Sequence, residues 1–426
     1  MTATPETHAS PTRKADRTAE KRSLTALLAG EGIGWGGSCV HRVALPVLAV
    51  LHLRADPSQL ALLAFAAEVP TLIVALPAGA VADRYSLRTI LISTDVAAAA
   101  LVSLIPAAAV LDMLTMPLLY AVGFVLGSAS TLHTAASMAA IPLLADDPKR
   151  RHQVNARFTQ VITISGATGT ALGTALVAAV GAAQATLADA LSYVVSAWCA
   201  TRIRALPVPD RKREERIPVL GQIHEGVVFS AHNPLLRSLF LALTASGAST
   251  GLIASLLSYL LLITVQVGTT GLGLVMAAGS LGGLTGAVAA PRLVRRYKPG
   301  TVLAYAWTVY PLMQIPLLVA RPGIAWLAVL IAGAFGQFAA ATCVGTTQRS
   351  VQQSVSPPHL RARVQQTALW LHGGSRCLSA LAAGILATLT SVRTVMLIGI
   401  IVLLLSAWAL HRSPVRRLSA MDGAAP

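Results

Sequence analysis

Apolar runs separated by short polar stretches recur along the whole chain. A helix needs roughly 20 mostly apolar residues to cross a bilayer. Twelve segments qualify: 24–51, 58–82, 89–111, 116–144, 154–180, 183–203, 235–264, 269–290, 300–320, 323–348, 364–389 and 393–411. The fourth and tenth are long enough to tilt or to extend past the membrane. The pattern predicts an all-α integral membrane protein whose twelve transmembrane helices form two six-helix halves. It implies a disordered cytoplasmic tail over 1–22, a first bundle over 23–203, a linker over 204–233, a second bundle over 234–412 and a cytoplasmic tail over 413–426. The linker carries RKREER and then residues 217–230, which are suited to lie as an amphipathic helix on the membrane face.

Composition agrees with the pattern. Hydrophobic residues make up 54% of the 426 and charged ones 12%, whereas a soluble domain is roughly a quarter charged. A net charge of +16 would suit a nucleic-acid partner. The basic residues, however, sit in short connections between apolar runs, where they set topology rather than track phosphate. Five lie in the N-terminal tail, and others follow at Arg84 and Arg88, Lys149–Arg151, Arg202–Arg216, Arg292–Lys298, Arg361 and Arg363, and Arg412–Arg417. The opposite side holds Arg54, Arg321 and Arg393. This asymmetry places both termini in the cytoplasm of a multi-pass protein of the cell membrane. The polar N-terminal stretch is not a cleavable signal peptide. Cys39, Cys199, Cys343 and Cys377 stand apart in apolar surroundings, which reads as buried thiols and not as a disulfide framework or metal site. The chain has no G-x-x-x-x-G-K-[ST] or HExxH. We therefore expect no ATP-driven step, no catalytic residues, no cofactor and no nucleic-acid partner.

One stretch, ALPAGAVADRYSLRTILI at 75–92, joins two apolar runs through a few charged residues. Gly79, Asp83, Arg84 and Arg88 fall on the G-x-L-a-D-r-x-G-r-k pattern between the second and third helices of the major facilitator superfamily, which this loop resembles. Ser86 and Thr89 depart from it. A second copy, GAVAAPRLVRR at 286–296, follows the eighth segment and has Ala290-Pro291 in place of the aspartate, where a turn is expected. RVALP at 42–46, AAIPLL at 139–144, VNAR at 154–157, LADALSY at 187–193 and PPHLRAR at 357–363 are similar to the drug and siderophore exporters typified by the enterobactin exporter and macrolide efflux proteins. The resemblance implies a monomeric alternating-access transporter, with a mid-bilayer cavity lined by spans one, four, seven and ten. It implies spans two and eleven facing each other, and energy drawn from the proton gradient. In the fifth segment, SGATGTALGT at 165–174 resembles the g-x-x-x-G-P-x-x-G-G of proton antiporters. Gly166, Gly169, Thr170 and Gly173 make a small-residue face there for close helix packing, with Thr170 in place of the proline.

Ionisable groups inside apolar spans are costly and usually persist paired or facing water. No Asp or Glu occurs between Glu225 and Asp422, so buried acid chemistry must come from the first half. Glu68 in span two and Arg376 in span eleven are expected to pair in one conformation and separate in the other, freeing Glu68 to take a proton. Glu31, amid glycines of span one, is expected either to line the cavity or to face the cytoplasm. Asp95 is expected to clamp Arg84 or Arg88, and Asp189 to tether helices. His133 and His372 each suit a single hydrogen bond, although either could titrate near neutral pH. Trp35, Trp307, Trp370 and Phe338 are candidates for an apolar drug-binding wall. The function expected is export of small amphipathic molecules, such as a drug, a macrolide or a siderophore, by exchange for H+. The alternatives are an importer of a small metabolite and a transport-dead sensor or scaffold on the same fold. Beyond the lipid bilayer and that substrate, no partner is expected.

Overall fold

The computed structural model describes residues 11–74, 78, 81, 84–144, 148–203, 228–357 and 360–417. Nearly all of them are helical: α1 Pro11–Val47, α2 Pro57–Ile73, α3 Leu87–Val110, α4 Met116–Leu144, α5 Pro148–Val180, α6 Ala182–Thr201, α7 Pro234–Tyr259, α8 Gly268–Arg296, α9 Pro299–Leu312, α10 Ile324–Val355, α11 Arg361–Leu389 and α12 Val392–Arg412. Each predicted segment overlaps one of these helices; a separate short helix, Pro316–Val319, covers the rest of the ninth, and part of the second lies outside the described residues. No strand occurs among the described residues. Nine helices among the described residues are long and apolar enough to cross a membrane, and α2 is a shorter apolar helix. A bilayer offers the backbone no hydrogen-bond partners, so an apolar run of this length folds as helix. Hydroxyls within the helices donate back to carbonyls one turn earlier, as Ser103 does to Ala99 at 2.7 Å and Thr131 to Gly127 at 2.8 Å. Large apolar side chains stand exposed on many helices, among them Leu172, Leu191, Leu241, Leu281, Leu378 and Leu405. Such a surface suits lipid, not water.

Three boundaries differ from expectation. α1 runs back to Pro11, into the stretch expected to be a disordered tail, because ADRTAEKR is rich in helix formers. α8 continues through Ala290-Pro291 to Arg296, so no turn occurs there. After α12, Pro414–Arg417 forms a 3-10 turn whose Val415 is fully buried and packs against Gly300 of α9, so this part of the expected tail is docked. The linker stretch 204–227, with its proposed amphipathic helix, lies outside the described residues.

Packing repeats with a shift of six helices. In the first half α1 packs on α5 and α6, α2 on α4, and α3 on α4 and α6. In the second, α7 packs on α11 and α12, α8 on α10, and α9 on α10 and α12. The same operation relates the two main contacts between halves, α2 on α11 and α5 on α8. Local detail repeats as well. α1 and α7 each continue into a π turn, Leu48–His52 and Leu260–Thr264, followed by a left-handed residue, Arg54 (φ 52°) and Gln266 (φ 57°).

The apolar core is continuous at one end and divided at the other. Ala55, Leu114, Val265 and Ala320, from four of the short connections, and Ala182 at the start of α6 share a single buried cluster with Leu48 just after α1 and Leu256 of α7. All these connections therefore gather at one end, where the two halves are fused. Toward the chain termini the clusters separate. Leu27, Leu91, Ile141 and Phe158 belong to the first half, and Leu239, Trp307, Phe240 and Val364 to the second.

Candidate functional site

α2 and α11 cross where the halves meet. The backbone of Ser58 and the side chain of Ala61 press on Gly384, and Leu72 approaches Gly374. Between these contacts the Glu68 carboxylate accepts a hydrogen bond from the Arg376 guanidinium as an ion pair. The side chains are 32% and 38% exposed, so the pair remains reachable by water. The backbone at Arg376 is held from behind, because its carbonyl lies where a side chain on Gly251 of α7 would fall. The two charges expected to meet do so, across 308 residues of chain.

A second ionic cluster lies within the first half. His133 of α4 places Nε2 3.0 Å from Glu31 Oε1 of α1 and Nδ1 3.2 Å from Asp95 Oδ1 of α3. The Ser137 hydroxyl donates to Glu31, and the Thr94 hydroxyl lies 3.1 Å from His133 Nδ1. Asp95 Oδ2 is buried without a hydrogen-bond partner. This corrects two expectations. Asp95 is turned to His133 and not to Arg84 or Arg88, and His133 bridges two carboxylates instead of making a single bond. α1, α3 and α4 converge on these side chains, whereas the arginines lie at the α3 start, with Arg84 exposed. A cavity of about 10 Å³ adjoins Glu31, Asp95 and His133.

Asp189 of α6, fully buried, holds His41 Nδ1 of α1 at 2.6 Å, and Ser38 meets the Tyr193 hydroxyl at 2.9 Å. These contacts tie α1 to α6, the tethering expected of Asp189. His41, Ser137 and Thr94 did not stand out in the sequence. The only signal for His41 was that a buried aspartate needs a partner. His372 makes the one hydrogen bond expected, Nδ1 to the Leu243 carbonyl at 3.3 Å. Trp307 is not a cavity wall: it is buried in the second half and donates Nε1–H to Ser406 at 2.9 Å. Trp35 lies beneath the Arg42 guanidinium at 4.7 Å.

The small-residue face of α5 meets α1. A side chain on Gly169 would strike the Gly36 backbone, one on Gly173 would lie 2.9 Å from Val40 Cα, and one on Gly166 would lie 3.1 Å from Trp35 Nε1. Thr170 folds its hydroxyl onto the Gly166 carbonyl at 2.8 Å. Farther along α5, Thr174 fills the space beside Gly273 of α8, across the halves. Of the loop motif, Gly79 and Asp83 lie outside the described residues. Arg88 is half-buried one residue into α3. A cavity of about 570 Å³ forms an apolar groove between α1, α5 and α6, and none of the ionisable candidates lines it. The four cysteines are free and buried.

The chain matches the transmembrane secretion effector family over residues 24–425. It is 27% identical over 356 residues to the multidrug efflux pump Tap of Mycolicibacterium fortuitum, covering 80% of this chain and 82% of Tap. Among solved structures, the nucleoside transporter NupG superposes with a TM-score of 0.72 at 13% identity, covering 92% of this chain and 98% of NupG. A bacterial homologue of the iron transporter ferroportin, in an inward-facing state, superposes with a TM-score of 0.69 at 14% identity, covering 92% and 98%. These two likenesses show the fold alone. The family match covers nearly the whole chain, and its description agrees with the paired halves and apolar surface: the protein is a multi-pass membrane transporter that belongs to the transmembrane secretion effector family of the major facilitator superfamily.

Proposed function

We propose that the protein exports small amphipathic molecules in exchange for protons, by alternating access between its two halves. The observation that carries this reading is the core, fused at one end and divided at the other, with the Glu68–Arg376 pair at the crossing of α2 and α11. Such an arrangement suits two bundles that rock about a central site. The basic connections lie at the divided end, so the positive-inside rule makes it cytoplasmic and makes this conformation inward-open. Glu68 and Arg376 act as a latch for that conformation. When the halves rock, Glu68 loses its counter-ion and becomes free to take a proton. Export is supported by the likeness to Tap, a multidrug efflux pump.

Ethidium or Hoechst efflux from cells expressing the chain, with and without a protonophore, tests the reading. Protonophore-sensitive efflux altered in Glu68→Gln is the expected result. Uptake of these dyes into cells would reverse the direction. Unchanged proton-coupled efflux in Glu68→Gln would remove the latch from coupling. If abundant protein moves neither dye, the substrate is narrow, and siderophores become the class to try first.

A further inference from the structure

We propose that Glu31, His133 and Asp95 form a second proton-binding site, built within the first half and loaded by one proton carried on Asp95. The site rests on the proton-exchange reading for its role in transport, but its protonation can be observed separately.

Charge balance comes first. Both nitrogens of His133 face a carboxylate, and an imidazole donates from both only when doubly protonated. The ring then carries one positive charge between two carboxylates, and the cluster is left one negative charge in excess. Among the described residues, no Arg or Lys is ion-paired with Glu31 or Asp95. From α6 the facing titratable groups are Tyr193 and Cys199, which are not cations. Arg202, at the end of that helix, stacks on Trp198 at 4.3 Å. From α2 the ionisable group is Glu68, already paired with Arg376. One more proton neutralises the cluster.

Its location follows from the hydrogen bonds. Glu31 receives two donors, the Ser137 hydroxyl and His133. Asp95 is supported at Oδ1 alone, and its Oδ2 is buried with no donor. A buried anionic oxygen without a donor is far costlier than a neutral carboxyl, so the extra proton belongs on Asp95. The cavity beside the cluster has room for about one water molecule and not for an organic substrate. Side-chain exposure is graded, 17% for His133, 10% for Glu31 and 4% for Asp95, so water reaches the site from the histidine and glutamate side. The cluster lies about two turns into α3 from its start, at the end where the cores of the two halves are separate.

Infrared difference spectroscopy of the purified full-length protein at neutral pH tests the protonation directly. The carbonyl stretch of a protonated carboxylic acid should be present, should vanish in Asp95→Asn, and should persist in Glu68→Gln. No such band in the wild type, or one that Asp95→Asn leaves in place, overturns the proposal whatever the protein transports. A second measurement uses ethidium in proteoliposomes. Asp95→Asn and His133→Gln should keep gradient-free ethidium counterflow and lose the accumulation driven by a pH gradient. Variants that lose counterflow as well, that keep the pH-driven accumulation, or that respond only to a Na+ gradient overturn it. If the infrared band behaves as expected and the wild type moves no ethidium, the proton site stands and the export reading fails.

Discussion

Removing either member of the Glu68–Arg376 pair should tilt the balance between the two conformations of the transporter. At about 4 Å and an effective dielectric near 20, two unit charges attract by about 4 kcal/mol. Each side chain is about one-third exposed, so solvent and counter-ions cancel much of that. A net worth of about 1–2 kcal/mol is reasonable for a half-buried pair, between exposed pairs and fully buried ones. Lost only from the conformation in which the pair is formed, that energy shifts the ratio of conformations by roughly 5- to 30-fold. Spin labels at Asn155 on α5 and Arg295 on α8, both exposed near the divided end, would read the change as a distance distribution. Glu68→Gln and Arg376→Gln should each move population toward a shorter separation. The double variant should match the singles, because they remove the same interaction. Unchanged distributions in both singles, or a double whose shift equals the sum of the two, would refute the latch.

Other consequences are testable in detergent by thermal unfolding. Gly169→Ala should destabilise by about 1–3 kcal/mol, because the added carbon meets the Gly36 backbone, which has no rotamer to yield. Gly345→Ala, with open space around its position in α10, should be neutral or stabilising by up to about 1 kcal/mol, and an equal loss at both sites would dismiss the close α1–α5 approach. Asp189→Leu should cost about 1.5–3 kcal/mol by stranding His41, and full stability would show that the two do not bond. Asp56 caps α2 through Gln59 N–H at 2.9 Å, so Asp56→Ala should cost about 1 kcal/mol near neutral pH. Burial opposes ionisation of Asp56, but hydrogen bonds from Ser58 and Gln59 outweigh it and hold the carboxyl below its ordinary 3.8. The cap is therefore at full strength above that value and is lost as pH falls through the lowered one, where wild type and Asp56→Ala should converge. A constant difference down to strong acid would contradict this.

The element pattern was legible because it is local. A run of about 20 apolar residues has one fold open to it in a bilayer, and short basic connections carry the topology signal. The misreadings came where local composition is a weak guide. ADRTAEKR is polar enough for a tail and rich enough in helix formers to extend α1. Ala290-Pro291 resembles a turn, yet α8 carries the proline within its length because neighbouring structure holds the helix together. Asp95 was read against the nearest basic residues in sequence, whereas the chain delivers His133 to it from α4.

By itself the sequence determined that this chain lives in a membrane, where its helices run, and that its acidic groups at membrane depth lie in the first half. Each of these follows from composition over a window of residues. Only the tertiary structure decided which charges meet. Glu31 and His133 are 102 residues apart, His41 and Asp189 are 148 apart, and Glu68 and Arg376 are 308 apart. A hydrogen bond acts over about 3 Å and depends on geometry that no local window contains. Which end of the molecule is fused and which divided was likewise settled by packing, because Leu and Ala at both ends are equally apolar and only their neighbours differ.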